Sequence, residues 1–343
     1  SKHAPKNSIW VGLFHLPQII EMIQKMDTNT QKIAFIFPGQ GSQTLGMGHE
    51  IAQEYSIARQ TFEEADEILG FSLSAIMWGE DADQLNDTVN TQPALFVHSF
   101  AAWRVLTEIV PEIQPASVAG HSLGELSALA VTGALSFSDG LRLVRRRGEL
   151  MQRAGELAPG GMAAILGLDI LALEKICADA TEGDDVVEVA NDNCPGQVVI
   201  SGAKPALERA LGLAKEAGAR RAVPLAVSIA AHSPLMSVVQ AEFDQALADA
   251  NIWEASIPVV GNVTASPLAT VAEIQSDLGA QLTSRVRWTE SVQYMAAQGV
   301  ETFFELGSGS VLSGLLRRID RGLQGVALGT PKDVSKFSEL FLL

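Results

Sequence analysis

Gly120-His121-Ser122-Leu123-Gly124 sets a serine between glycines, directly after the apolar run Val118-Ala119 and directly before a helical pattern. G-x-S-x-G between a strand and a helix is the pattern of a nucleophile elbow, in which small residues let the chain reverse without side-chain clashes. Such a turn pushes the hydroxyl outward. It also aims the first free N–H groups of the next helix, notably that of Leu123, at the oxygen that becomes negative when a serine attacks a carbonyl. Five letters alone carry little weight in a chain with 30 glycines. The competing reading is a structural turn; a buried-type strand before it and an amphipathic helix after it favour the nucleophile.

A serine needs a base. Of the six histidines, His3, His15 and His49 lie toward the chain start and His121 adjoins the serine, which leaves His98 and His232. His98, on a helical pattern with Trp103, reads as packing. A lone histidine is more often structural, but a serine elbow without another base makes His232, in Ser228-Ile229-Ala230-Ala231-His232-Ser233-Pro234, the candidate. The loop Pro38-Gly39-Gln40-Gly41-Ser42-Gln43 fits neither a dinucleotide fingerprint nor a P-loop. Its other use is to offer a second backbone N–H to an oxyanion, a role assigned here to Gln40.

Arg145, Arg146 and Arg147 are consecutive, and on a helix their side chains diverge by about 100°. Arg145 can pair with Glu149 one turn on, and Arg146 joins the solvated stripe of Arg142, Glu149 and Arg153. Arg147 falls among Leu143, Val144, Leu150 and Met151. A charge on that apolar stripe needs an anion. Either it forms a structural ion pair within the fold, or it holds a substrate carboxylate by paired hydrogen bonds.

These residues must be positioned by an α/β fold. Lys32-Ile33-Ala34-Phe35-Ile36-Phe37 reads as a central parallel strand covered on both faces. Helical patterns follow over 51–69 and 93–109, the second capped by Asn90 or Thr91 with Pro93 in its first turn, then a strand over 116–119. After a helix over 139–154 the order becomes β-α-β-β-α-β, with strands over 162–168, 186–190, 197–201 and 221–227 and helices over 171–180 and 205–217. That is the ferredoxin-like arrangement, inserted as a subdomain over residues 156–228. The large α/β-hydrolase-like subdomain, with a central mostly parallel sheet, takes 31–155 and 229–335: a strand over 257–263, helices over 271–282 and 291–298, a strand over 302–306, a helix over 311–319 and a last strand over 326–329. Residues 336–343 form an apolar tail packed on a surface. Residues 1–30, interrupted at Pro17, read as a leader or added segment, with Met26 as the natural start.

Composition narrows the class. With 47% apolar and 19% charged residues the chain is globular, and a net charge of −16 argues against nucleic acid as a partner. No apolar run is long enough to cross a bilayer, so no membrane role is expected. Cys177 and Cys194 have no metal-ligand spacing and suit a reducing cytoplasm.

Together the motifs resemble malonyl-CoA:acyl carrier protein transacylases and the acyltransferase domains of fatty acid and polyketide synthases. The resemblance runs from Ile33 to Ile319. It rests on Phe37-Pro38-Gly39-Gln40-Gly41-Ser42-Gln43, Thr91-Gln92-Pro93-Ala94-Leu95, Gly120-His121-Ser122-Leu123-Gly124-Glu125, Arg147-Gly148-Glu149-Leu150-Met151-Gln152, Pro195-Gly196-Gln197-Val198-Val199 and His232-Ser233-Pro234-Leu235-Met236, in the family's order. The resemblance implies Ser122 as nucleophile, His232 as its base, Gln40 and Leu123 as oxyanion donors, and Arg147 as clamp on the free malonyl carboxylate. It implies that a backbone carbonyl, matched at Gln281, holds the histidine. Gln281 is accordingly placed with the substrate-binding set, beside His121 and Met151 in the pocket and Asn193 and Gln197 at the thioester entrance.

The implied reaction moves malonyl from malonyl-CoA to the phosphopantetheine thiol of an acyl carrier protein through a malonyl-serine ester. No permanently bound cofactor, no metal and a monomer are expected. Ile229-Ala230-Ala231 matches neither the phenylalanine-bearing pattern linked to malonyl nor the serine-bearing one linked to methylmalonyl. Ala231 leaves room for a methyl branch, so another extender stays open. A serine thioesterase or esterase is the other alternative, though it would normally place an acid between serine and histidine and has no need of Arg147. A non-catalytic docking or scaffold protein would keep the fold and need none of these residues. Acyl carrier proteins are acidic, as is this chain, so a confined basic surface is expected from Arg146, Arg153, Arg285, Arg287, Arg317 and Arg318.

Overall fold

The computed structural model describes residues 32–341. The readings for residues 1–30 lie outside them. Ten strands are present among the described residues: β1 (Lys32–Phe37), β2 (Ser117–Gly120), β3 (Gly160–Leu166), β4 (Val187–Cys194), β5 (Gln197–Ala203), β6 (Arg221–Pro224), β7 (Val259–Val260), β8 (Pro267–Leu268), β9 (Val300–Leu306) and β10 (Gln324–Leu328). One sheet runs β10-β9-β1-β2-β7-β8 and is parallel except at the β7–β8 edge. Ile33, Phe35 and Phe37 pack into one core, while Ala34 and Ile36 pack into another on the opposite face with Trp288, Val292 and Leu316. Alternate residues of one strand thus fill two cores, which is why β1 reads as a continuous apolar run.

The second sheet is antiparallel, in the order β4-β5-β3-β6. Helices Ile170–Ala180 and Lys204–Glu216 connect its strands and share a third core with it, built on Ile165, Leu173, Val198 and Ile200. This is the ferredoxin-like order expected from the sequence. Backbone bonds from Asp192 N–H to Val286 O (3.0 Å) and from Val286 N–H to Ala190 O (2.8 Å) tie β4 to the larger unit.

Several local expectations are corrected. The helical pattern over 51–69 is two helices, His49–Glu54 and Ser56–Leu69, because Tyr55 is extended between them. Two short helices, Leu73–Trp78 and Ala82–Asn86, were not foreseen. The next helix starts earlier, at Thr88, and its cap is Asp87, whose carboxylate accepts from Val89 N–H at 3.3 Å. Pro93 is therefore interior. Its missing N–H would leave Val89 O open, and Arg145 Nη1 fills the gap at 2.8 Å. The helix after the serine, Gly124–Val131, is buried on every side rather than amphipathic. The C-terminal residues form a helix, Pro331–Phe341, that seats Phe337 edge-on against Phe304.

At the elbow the glycines serve close approach. A Cβ on Gly120 would stand 1.9 Å from the Gly124 carbonyl carbon, and one on Gly124 would stand 2.2 Å from Phe37 O. The left-handed backbone falls on Ser122 itself, at φ 53°. Because the clash at Gly124 is with backbone, Gly124→Ala is expected to destabilise the protein by about 1–3 kcal/mol. A urea midpoint unchanged from wild type would show that the helix has room to shift.

Candidate active site

Ser122 lies two residues past β2, whose register against β1 (Phe37↔Gly120) sets the elbow beside the loop that follows β1. His121 N–H donates to Phe37 O at 3.0 Å, which brings Gly39 and Gln40 to the serine. Ser122 Oγ lies 2.8 Å from His232 Nε2. His232 comes from the segment after β6, at φ 58°, and is held by its N–H to Leu282 O (3.0 Å) and by Nδ1 to Gln281 O (2.8 Å). A carbonyl can only accept, so Nδ1 carries the proton and Nε2 presents its lone pair to the serine.

Arg147 sits inside helix Phe137–Leu157 and is 1% exposed. Its Nη1 donates to Gln92 Oε1 (2.8 Å), and its Nη2 donates to Gln281 Oε1 (2.8 Å) and Ser122 Oγ (3.1 Å). Three of five donors meet neutral oxygens, and Nε has no partner. No carboxylate of the described residues forms an ion pair with it. Burial lowers its pKa to about 10, which leaves it charged at neutral pH. Glu125, the carboxyl whose charge acts on it, is fully buried, and burial together with Asp277 pushes Glu125 well above the usual carboxylate range.

A cavity of about 630 Å³ opens onto this group. Gln40, His121, Ser122, Leu123, Arg147, Met151, Asn193, Gln197 and His232 all line it, as does Ala231. Neither Gln40 N–H nor Leu123 N–H has an acceptor among the described residues. His121 Nε2 meets Asn193 Oδ1 at 2.8 Å, and burial lowers its pKa. Gln281 differs from the expectation: it does not line the cavity. It lies behind, its side chain bonded to Arg147 and, through Nε2, to Glu125 Oε2 at 2.7 Å. Nε2 also donates to Ser122 O at 3.1 Å, so Gln281 acts on a substrate through Ser122, His232 and Arg147.

Gln92, Glu125 and Asn262 complete the polar shell and were not assigned from sequence. Gln92 and Glu125 stand inside motifs already quoted; Asn262 follows a strand and carried no signal. His98 is a packing residue, bonded to Gly329 O at 2.9 Å. The expected basic surface is much reduced. Arg146 and Arg153 both pair with Glu242, Arg285 pairs with Glu174 and Arg287 with Glu290. Of the six, only Arg317 and Arg318 form no ion pair among the described residues; Arg318 Nη1 reaches Gln197 Oε1 at the cavity mouth (2.5 Å).

Burial, then the Arg147 charge, lowers the His232 pKa to about 3. The unfolded imidazole titrates near 6.5, so between these values the unfolded chain binds a proton that the folded one does not. Stability therefore falls as pH drops from 6.5. His232→Gln is expected to flatten that slope by about 1.4 kcal/mol per pH unit. Equal slopes for both proteins in urea unfolding between pH 6 and pH 4 would contradict a buried neutral imidazole.

A family model described as an acyl transferase domain matches residues 34–330. The malonyl CoA-acyl carrier protein transacylase of Bacillus subtilis (strain 168) is 46% identical over 303 residues, 88% of this chain and 95% of the relative. That of Escherichia coli (strain K12) is 45% identical over 309 residues, 90% and 99% respectively. Among solved structures, an acyl carrier protein S-malonyltransferase from Vibrio cholerae O1 biovar eltor is similar at TM-score 0.87 and 46% identity, covering 90% of this chain and 100% of that one. A malonyl-transacylase solved in complex with its type II PKS acyl-carrier protein is similar at TM-score 0.87 and 40% identity, covering 90% and 99%. The chain belongs to the acyl transferase family, and it matches that family's malonyl CoA-acyl carrier protein transacylases over about nine-tenths of its length.

Proposed function

We propose that the protein moves a malonyl group from malonyl-CoA to the phosphopantetheine thiol of an acyl carrier protein, by way of a malonyl ester on Ser122. One observation carries this reading: a buried, charged guanidinium with no ion-pair partner among the described residues stands 3.1 Å from the nucleophilic oxygen, on the wall of the cavity. An acyl group with a second carboxylate satisfies that charge. A simple acetyl group does not.

In the first half-reaction His232 Nε2 takes the Ser122 proton as Oγ attacks the thioester carbon. The carbonyl oxygen becomes negative and is met by the N–H groups of Gln40 and Leu123. Collapse of the tetrahedral species expels the CoA thiolate, which takes the proton from His232. In the second half-reaction the carrier thiol gives its proton to His232, attacks the ester carbon, and Ser122 leaves as an alcohol reprotonated by His232. A bound malonyl carboxylate offsets the Arg147 charge, the second cause of the depressed His232 pKa, so the correct substrate makes the imidazole a better base. Asn193 and Gln197 stand where the thioester arm enters, and His121 and Met151 shape the acyl pocket.

A second reading is a branched extender such as methylmalonyl, favoured by Ala231, whose small side chain lines the cavity. No resident cofactor enters either reading. Action as a monomer is part of the same reading, and the buried free cysteines suit a reducing cytoplasm.

Intact-mass analysis after mixing with a panel of CoA thioesters tests the reading. Wild type is expected to gain malonyl on Ser122, and Ser122→Ala to gain nothing; unchanged transfer by that variant sinks the proposal. Arg147→Ala is expected to lose malonyl transfer by about a hundredfold or more, as charge-pair removal at a buried site implies, while gaining activity on acetyl thioesters relative to malonyl. Equal losses on both would mark a structural arginine. Arg317→Glu with Arg318→Glu is expected to raise KM for the carrier protein by a larger factor than it slows acylation by malonyl-CoA, which shares the entrance at Gln197. An unaltered KM would remove these two residues from the docking surface.

A further inference from the structure

The turn that carries Ser122 is pinned by a side chain from another strand. Asn262, 1% exposed, follows β7. Its Oδ1 accepts from Ser122 N–H at 2.7 Å, and its Nδ2 donates to Gly120 O at 2.6 Å. In a parallel ladder, one residue's own N–H and C=O bond the O and N that flank its neighbour on the facing strand. Gly120 O and Ser122 N–H flank His121 in that way. β7 pairs with β2 only at Val118↔Val259 and Ala119↔Val260, and the carboxamide of Asn262 stands in for the next strand residue.

Two consequences follow for the chemistry. The Ser122 N–H is consumed, so the donors left to face the cavity are those of Leu123 and Gln40. The peptide between His121 and Ser122 is also fixed in plane, which holds the left-handed φ of 53° that points Oγ at His232. Asn262 N–H donates in turn to Glu125 Oε2 at 3.2 Å, the oxygen that also takes Gln281 Nε2. Gln281 then holds His232 with its carbonyl and Arg147 with its side chain.

We propose that Asn262 is a positioning residue for serine acylation: its carboxamide completes the β2–β7 ladder across the elbow and fixes the direction of the Ser122 hydroxyl. The inference rests on the reading of Ser122 as the nucleophile. Asn262→Ala removes both bonds. Asn262→Asp keeps the volume and the acceptor facing Ser122 but replaces the donor facing Gly120 O with a second acceptor.

Rapid-quench mass spectrometry of the full chain with malonyl-CoA is expected to show acylation slowed about a hundredfold in both variants, the scale expected of a misplaced reacting group. A fluorophosphonate probe, which needs an activated serine and no malonyl pocket, should slow in parallel. In a Ser122→Ala background, the malonyl-CoA Kd by calorimetry should stay the same with and without the change at Asn262. Wild-type acylation rates in either folded variant overturn the proposal. So does a Kd weakened by the same factor as the rate, which would mean collapse of the pocket. Wild-type protein that reacts with the probe but not with malonyl-CoA would overturn the proposed substrate instead, and the role of Asn262 is then decided by the probe rates.

Discussion

A positive charge taken out of water governs this structure. Arg147 is buried where a lone guanidinium would cost several kcal/mol, and the fold answers with neutral dipoles rather than a carboxylate. Two glutamine carbonyls hold its edges, and the one carboxyl close enough to compete, Glu125, is pushed toward its neutral form. That choice leaves the charge open to an anion arriving from the cavity. After burial, the same charge is the next cause of the low His232 pKa, so the clamp for the acyl group and the strength of the base are electrostatically linked.

Gln281 joins the clamp to the base. Its carbonyl fixes the tautomer of His232, and its side chain orients Arg147. No acidic third member is required for the histidine, because a backbone carbonyl at the end of helix Val271–Gln281 supplies the acceptor from a rigid element. This separates the site from serine hydrolases, which set an acid behind the imidazole.

Much of this could be read from residue order. The continuous apolar run of β1, the helical stripe around Arg147 and the β-α-β-β-α-β order are local patterns, and each appears where the pattern put it. The serine, histidine and arginine converge because sheet order sets them together, which spacing alone did not reveal. What stayed hidden was long-range or compensatory. Asp87 as cap and Pro93 inside a helix depend on Arg145 repairing a gap 56 residues away in sequence. The sequence places Gln281 against substrate, whereas it stands behind the cavity wall and bonds the lining residues Ser122, Arg147 and His232. The basic surface is smaller than expected for a related reason: a linear count of arginines does not show Glu242, Glu174 and Glu290 folding back onto four of them.

The helix Gly124–Val131 has no solvent-facing side, and its glycine start touches β1 backbone. The reacting oxygen is thus anchored at the start of a fully buried helix packed against the central sheet. The opposite wall of the cavity includes Leu225, Ala226 and Val227, an exposed stretch just past the edge strand of a thin four-stranded sheet. A longer or bulkier cargo thus meets close packing on the side of the elbow, where an added atom costs strain, and a solvent-exposed segment at residues 225–227.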